Sequence, residues 1–167
     1  MSGEPAVRTA SAADAGRCAE IYAPYVTSTA ISFELEPPTP EEMAARIAGA
    51  HVWLVAELAG RVVGYASAGP FKQRPAYQWT CEVSVYLEQG RRRTGAGRAL
   101  YEELFARLKR QGFRTAVAAL ALPNEASEGL HAALGFEHVG TLRRVGFKHG
   151  EWRDVAWWQR DLGGNRR

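Results

Sequence analysis

Apolar and polar positions along this chain change period several times. The clearest change lies between Trp79 and Leu108. Thr80, Glu82, Ser84 and Tyr86 alternate there with Cys81, Val83, Val85 and Leu87, which predicts a strand covered on both faces. Gln89 to Gly97 breaks the alternation with glycines and a run of arginines. From Ala99 the period becomes helical. Leu100, Leu104 and Leu108 share a face, with Tyr101 and Phe105 beside them, and Gly112 is a C-terminal stop.

The remaining pattern fills in around this unit. Ala6 to Ala10 predicts a short first strand. Asp14 to Tyr22 predicts a helix, with Ser11 as a cap and Ala15, Cys18 and Ile21 on one buried face. Tyr25 to Pro40 is polar and proline-containing, and a loop of that length in a compact domain is functional or mobile. Phe33 within it either lines a pocket or pins the loop to the core. Glu41 to Ala48 predicts a short helix. His51 to Leu58 and Arg61 to Ala68 pair around Ala59-Gly60 as a hairpin, with His51 closing the strand's start. Gly69 to Gln78 is a polar, aromatic loop. Arg114 to Leu120 reads as a buried strand. Asn124 caps a helix over Glu125 to Leu134, and His131 shares its face two turns on. Phe136 to Leu142, Val145 to Phe147 and Trp152 to Leu162 read as closing strands. The order describes a single α+β (mixed α/β) domain over residues 6–162, with residues 1–5 and 163–167 as flexible ends.

Composition narrows the class. A chain of 167 residues, 46% hydrophobic and 23% charged, is long enough for a real core. A net charge of +3 with no extensive basic face gives no ground for nucleic acid as a partner. There is no signal-peptide pattern and no apolar run of about 18 residues, so a cytoplasmic protein without a membrane partner is expected. Cys18 and Cys81 read as buried free thiols of a reducing compartment.

The strand-to-helix junction favours an anion. A helix start leaves N–H groups unpaired and carries partial positive charge, which suits a phosphate. Gly95 and Gly97 clear the backbone for close approach, and Arg91, Arg92, Arg93 and Arg98 add charge. An ordinary turn with solvated arginines is the competing reading. Neither GxxxxGK[ST] nor GxGxxG occurs here, so neither of those phosphate loops is present. Lys72, Arg74 and Tyr77 are candidates for gripping an acidic substrate, or are simply solvated. Glu82, mid-strand, is either a carboxylate paired with an arginine or a base whose pKa burial raises.

Arg92-Arg93-Thr94-Gly95-Ala96-Gly97 resembles the pyrophosphate-binding signature of the GNAT N-acetyltransferases. The resemblance extends from about Val7 to Leu162 and becomes specific to the phosphinothricin and methionine sulfoximine acetyltransferase branch. It is carried by Phe33-Glu34-Leu35-Glu36-Pro37-Pro38, Ala68-Gly69-Pro70-Phe71-Lys72-Gln73-Arg74 and Ala76-Tyr77-Gln78-Trp79-Thr80-Cys81-Glu82. It continues through Leu122-Pro123-Asn124, Leu130-His131-Ala132-Ala133-Leu134-Gly135-Phe136, Phe147-Lys148-His149-Gly150 and Trp152-Arg153-Asp154-Val155.

This resemblance implies a twisted, mostly antiparallel mixed sheet, splayed where acetyl-coenzyme A binds, and a homodimer. It implies acetyl transfer to the amine of a small amino-acid-like substrate, with Glu82 as general base, directly or through water. His131 would be an acid, an assistant to the base, or a hydrogen-bonded residue lining the coenzyme tunnel. Val85, Tyr86 and Leu87 would hold the pantetheine amides, with a backbone amide near Val85 aimed at the developing oxyanion. Arg93, Thr94, Gly95, Ala96, Gly97 and Arg98 would hold the pyrophosphate, and Asn124 the pantetheine arm. Phe33, Lys72, Arg74 and Tyr77 would meet the substrate, and no metal is expected. Glu88-Gln89-Gly90 departs from the usual small residue, proline and basic residue before the loop. Two other functions fit the same residues: acetylation of another amine, such as a peptide N-terminus or polyamine, and coenzyme binding without catalysis.

Overall fold

The computed structural model describes residues 3–90 and 94–163. The strands are β1 (Ala6–Thr9), β2 (Val52–Leu58), β3 (Arg61–Pro70), β4 (Thr80–Leu87), β5 (Thr115–Ala121), β6 (Glu137–Lys148) and β7 (Glu151–Asp161). They form one sheet in the order β1-β2-β3-β4-β5-β7-β6. Every neighbouring pair is antiparallel except β4 with β5. The α-helices among the described residues are α1 (Ala15–Thr27), α2 (Pro40–Gly49), α3 (Ala96–Arg110) and α4 (Glu125–Ala133). None is long and apolar enough to cross a membrane.

Strand alternation builds two apolar layers. Leu54, Ala56, Val63, Cys81 and Val83 pack against Leu100, Leu104 and Leu108 of α3. Trp53, Val55 and Tyr65 pack against Cys18, Ile21 and Val26 of α1 and Met43 of α2. A fully buried leucine such as Leu104 is worth on the order of 2–5 kcal/mol against alanine, so the central strands are held firmly from both sides. Cys18 and Cys81 are both buried and free, and burial pushes the Cys81 thiol up to about 12.

Several boundaries differ from the sequence pattern, each for a local reason. The first helix continues through Pro24 to Thr27 instead of ending at Tyr22, because buried Tyr22 and Val26 anchor its last turns. The loop beyond is correspondingly shorter. α2 starts at Pro40, where Thr39 caps it by accepting from the Glu42 N–H at 3.1 Å. α3 begins at Ala96, not Ala99, because Gly95 takes a left-handed conformation (φ 80°) and turns the chain into the helix early. The two strand pieces expected between Phe136 and Phe147 are one strand, β6, with register shifts at His138/Gly140 and Leu142/Gly146. At the second shift the Arg144 N–H donates to Asp154 Oδ1 at 2.8 Å.

The decisive feature is the β4–β5 pairing. It runs only from Thr80↔Thr115 to Glu82↔Val117. β5 continues alongside β7 as far as Ala121↔Val155, while β4 stays with β3 as far as Leu87↔Gly64. The two strands follow their outer partners and separate, which splits the sheet at its centre.

Candidate active site

Backbone direction along β4 follows from one hydrogen bond. The Glu88 N–H donates to the Val63 carbonyl of β3 at 2.8 Å. Direction alternates along an antiparallel pair. Tyr86 and Ser84, in register with Tyr65 and Ser67, therefore turn their backbone groups to β3. Val85 and Leu87 turn theirs toward the split. The Leu87 carbonyl accepts from the Tyr25 hydroxyl. The others face a cleft of about 450 Å³, walled by Val83 to Gly90 on one side and by Ala119–Ala121, Asn124, Leu130 and His131 on the other. Tyr25, Thr29 and Ile31 close its rim. The Tyr86 side chain points away, into an aromatic cluster with Tyr22, Tyr25 and Tyr65.

Glu82 sits at the last rung before the split, one residue ahead of the cleft wall. It is half-buried, and burial raises its pKa, opposed only by the charge of Lys72. Among the described residues none forms an ion pair with it. A desolvated, unpaired carboxylate is well suited to taking a proton near neutrality.

Lys72, Arg74 and Tyr77 line a second, open depression with Gln73. It is built by stacking: Tyr77 meets Phe71 edge-on at 5.6 Å, Phe71 meets Trp157 at 6.0 Å, and Lys72 Nζ lies 5.2 Å from the Phe71 ring centroid. Phe33 lines neither depression; its ring lies over Gly146 of β6, while its loop neighbours Thr29 and Ile31 reach the cleft.

His131 is 1% exposed and both ring nitrogens are engaged. Nδ1 lies 2.7 Å from the Ser127 carbonyl, which can only accept, so Nδ1 carries the proton. Nε2, 2.9 Å from the Tyr101 hydroxyl, therefore accepts from it. Burial lowers the His131 pKa and keeps the ring neutral.

Asn124 Oδ1 caps α4 by accepting from the Ser127 N–H at 3.2 Å, which leaves its NH2 donors for a ligand. At the loop, Thr94 Oγ1 accepts from the Ala96 N–H at 3.3 Å, and Gly95 has open space where a Cβ would stand. Gly97 serves packing instead: a Cβ there would meet Leu130 at 3.3 Å and Leu87 at 3.6 Å. Arg98 pairs with Glu102 at 3.2 Å on the surface. Arg91, Arg92 and Arg93 lie outside the described residues. Glu88, where the sequence departs from the usual pattern, forms ion pairs with Arg17 at 2.9 Å and Arg61 at 2.8 Å, which ties the strand's end to α1 and β3.

A central sheet split after a strand and a glycine turn into a helix is the architecture expected of an acetyl-coenzyme A site. Residues 7–157 match the acetyltransferase (GNAT) domain family. The chain belongs to that family. It is an acetyl-coenzyme A-dependent N-acetyltransferase. It is 44% identical over 159 residues to a phosphinothricin N-acetyltransferase of Streptomyces viridochromogenes, covering 93% of this chain and 87% of that one. It is 35% identical over 164 residues to an L-methionine sulfoximine/L-methionine sulfone acetyltransferase of Pseudomonas paraeruginosa, covering 93% and 94%. Its fold superposes with a TM-score of 0.91 on a phosphinothricin acetyltransferase from Sinorhizobium meliloti in complex with acetyl-coenzyme A, at 39% identity over 96% of this chain and 90% of that one.

The open groups of this GNAT chain fit the cosubstrate. Val85 offers a donor and an acceptor in extended array, as an amide-containing arm requires, and Asn124 offers donors from across the cleft. Sequence reasoning did not single out Tyr25, Tyr101 or Ser127 as site residues. Tyr101 carried one usable signal: a tyrosine on a buried helix face needs a partner for its hydroxyl. Tyr25 carried none, because its partner is a backbone carbonyl 62 residues away.

Proposed function

We propose that this N-acetyltransferase acts on the α-amine of a small amino acid whose side chain ends in a tetrahedral polar group: phosphinothricin, methionine sulfoximine or methionine sulfone. The observation that carries this reading is Glu82, an unpaired, half-buried carboxylate at the split, with Lys72 close enough to act on its charge and Arg74 and Tyr77 beside Lys72. A polyamine would call for acids where these cations stand. The names of the relatives point to the same substrates. Such a reaction would neutralise the amino-acid analogue and confer resistance.

When bound, acetyl-coenzyme A supplies an acetyl group activated as a thioester. The protein's own part is positional and protonic. Val85, Leu87 and Asn124 would hold the pantetheine arm, and Thr94 to Arg98, with Arg93, the pyrophosphate. Lys72, Arg74 and Tyr77 would hold the substrate's acidic groups, with the loop that carries Phe33, through Thr29 and Ile31 rather than the Phe33 ring, on the opposing side. An α-ammonium has no lone pair for attack, so Glu82 would take its proton, directly or through water, in a ternary complex with direct transfer. The Val85 N–H is the donor available for a developing oxyanion. His131, neutral and bonded to Tyr101, would act as a polar wall of the cleft through the Tyr101 oxygen.

The domain would span residues 6–162 and work in the cytoplasm as a homodimer. Support for the dimer comes from the β6–β7 hairpin, where Val139, Leu142, Val145, Phe147 and Trp152 are each at least half exposed. Light scattering of wild type and Phe147→Glu would show a dimer becoming a monomer; a monomeric wild type would refute it.

The test of substrate class is thiol release from acetyl-coenzyme A with a panel of phosphinothricin, methionine sulfoximine, methionine sulfone, glutamate, spermidine and a short peptide. Saturable turnover of the first three is expected. Turnover of spermidine or peptide alone would discard the pocket assignment and keep the coenzyme site.

A further inference from the structure

Lys148 ends β6 and is 5% exposed. Its ammonium donates to three backbone carbonyls, those of Val26 at 2.6 Å, Ser32 at 2.7 Å and Glu34 at 2.9 Å. An ammonium has three N–H donors, so all are used. Among the described residues no carboxylate forms an ion pair with it. Burial lowers its pKa, and the nearby Glu34 charge opposes that shift.

Desolvating a lysine for carbonyls alone is costly. The gain is geometric. Carbonyls 26, 32 and 34 converge on one point only if the segment between α1 and α2 folds back on itself. Two positions earlier on the same face of β6, Gly146 lies under the Phe33 ring, and a Cβ there would overlap the ring. From the other side, the Glu34 carboxylate accepts from Arg46 at 3.0 and 2.5 Å and from the Tyr22 hydroxyl. The segment is therefore clasped between β6 and the α1–α2 pair, and its residues Thr29 and Ile31 form the rim of the catalytic cleft.

We propose that Lys148 is a positioning residue for acetyl transfer, acting through the segment 28–34 to fix the wall against which the amine substrate enters. This rests on the reading that the amine enters beside that segment. Lys148 touches neither substrate. Its removal would loosen one wall and leave Glu82 and the open edge of β4 in place.

The experiment compares wild type, Lys148→Met and Gly146→Ala, the second displacing Phe33 without touching the ammonium. Steady-state kinetics with phosphinothricin would be combined with hydrogen exchange and acetyl-coenzyme A titration. Both variants should raise the amine KM by about tenfold or more and, because Thr29 and Ile31 line the coenzyme cleft, the acetyl-coenzyme A KM by a smaller factor, with kcat within about twofold. Amide exchange should accelerate within residues 28–35 and not in β2–β4. Unchanged amine KM and exchange in both variants would overturn the proposal. So would a uniform fall in every kinetic constant with exchange accelerated throughout, which marks general support of the fold. If wild type turned over none of the panel, the substrate reading would fail by itself. Local acceleration at 28–35 with intact acetyl-coenzyme A binding would then still uphold the clasp, and its absence would overturn it.

Discussion

The two ends of β4 share one strand and differ in almost everything else. Cys81 and Glu82 are paired on both sides, antiparallel to β3 and parallel to β5. Val83 to Leu87 keeps only its β3 partner. The side chains do not account for this, because apolar and polar positions alternate through both ends alike. The difference lies in the neighbours. β5 is held along its length by β7, and β4 by β3, so the two diverge where the parallel pairing ends. A sheet edge, ordinarily an aggregation hazard at a protein's rim, is thereby created in the interior, where only a narrow extended ligand can reach it. Glu82 lies at the boundary, close enough to the opening to meet substrate and covered enough to have its pKa raised.

The largest effect expected from breaking this arrangement comes at the boundary itself. Glu82→Gln keeps the shape and removes the base, so kcat should fall by about 10²–10⁴-fold with acetyl-coenzyme A affinity unchanged by titration calorimetry. The base acts deprotonated, so wild-type kcat/KM should rise with pH through a pKa above the usual carboxylate range. The same profile in Glu82→Gln should lack that limb.

Two proline substitutions sharpen the contrast between the strand's sides. Ser84 turns its N–H to β3, so Ser84→Pro breaks the ladder and should lower stability by about 1–3 kcal/mol, the cost of leaving a buried β3 carbonyl unpaired. Val85 turns its N–H to the cleft, so Val85→Pro should fold nearly as well. It should instead lower kcat by about 10²-fold or more, the loss of the oxyanion's donor. Equal loss of stability in both variants would mean that the two sides of β4 are not distinct.

Tyr25→Phe releases the Leu87 carbonyl at the open edge. With one bond of about 0.5–1.5 kcal/mol removed, the acetyl-coenzyme A KM should rise by no more than about tenfold. The smallest effect concerns the opposite wall. The His131 pKa is lower folded than unfolded, so the unfolded state binds its proton first and stability falls as pH drops below about 6.5. In His131→Gln the melting temperature should decline less between about pH 7 and about pH 5, measured by calorimetry.

What sequence reasoning could read was whatever depends on local pattern. The alternation from Thr80 to Leu87 and the spacing of Leu100, Leu104 and Leu108 indicated β4 and α3, and Asn124 was readable as a cap because capping is local. Glu82 stood out as a charge in a strand otherwise fit for burial. The split was expected from resemblance alone, since no periodicity records where two strands part. Lys148 was invisible for a related reason. A lysine at a strand's end reads as a solvated terminus, and the carbonyls it holds are 114 to 122 residues away. The early start of α3 was missed because Gly95 reads equally as loop or as cap until its left-handed φ is seen.

Gly97 has a consequence for how the fold can vary. α3 continues from the β4 side of the divide and α4 from the β5 side, and they touch where Gly97 meets Leu130. The missing Cβ thus acts as a spacer setting, fixing how near the two half-sheets come at their open ends. A methyl group there would press on the end of the Leu130 side chain, which would have to give by a few tenths of an ångström. The clearance between the two helices that flank the divide is thus set by a position that carries no side chain.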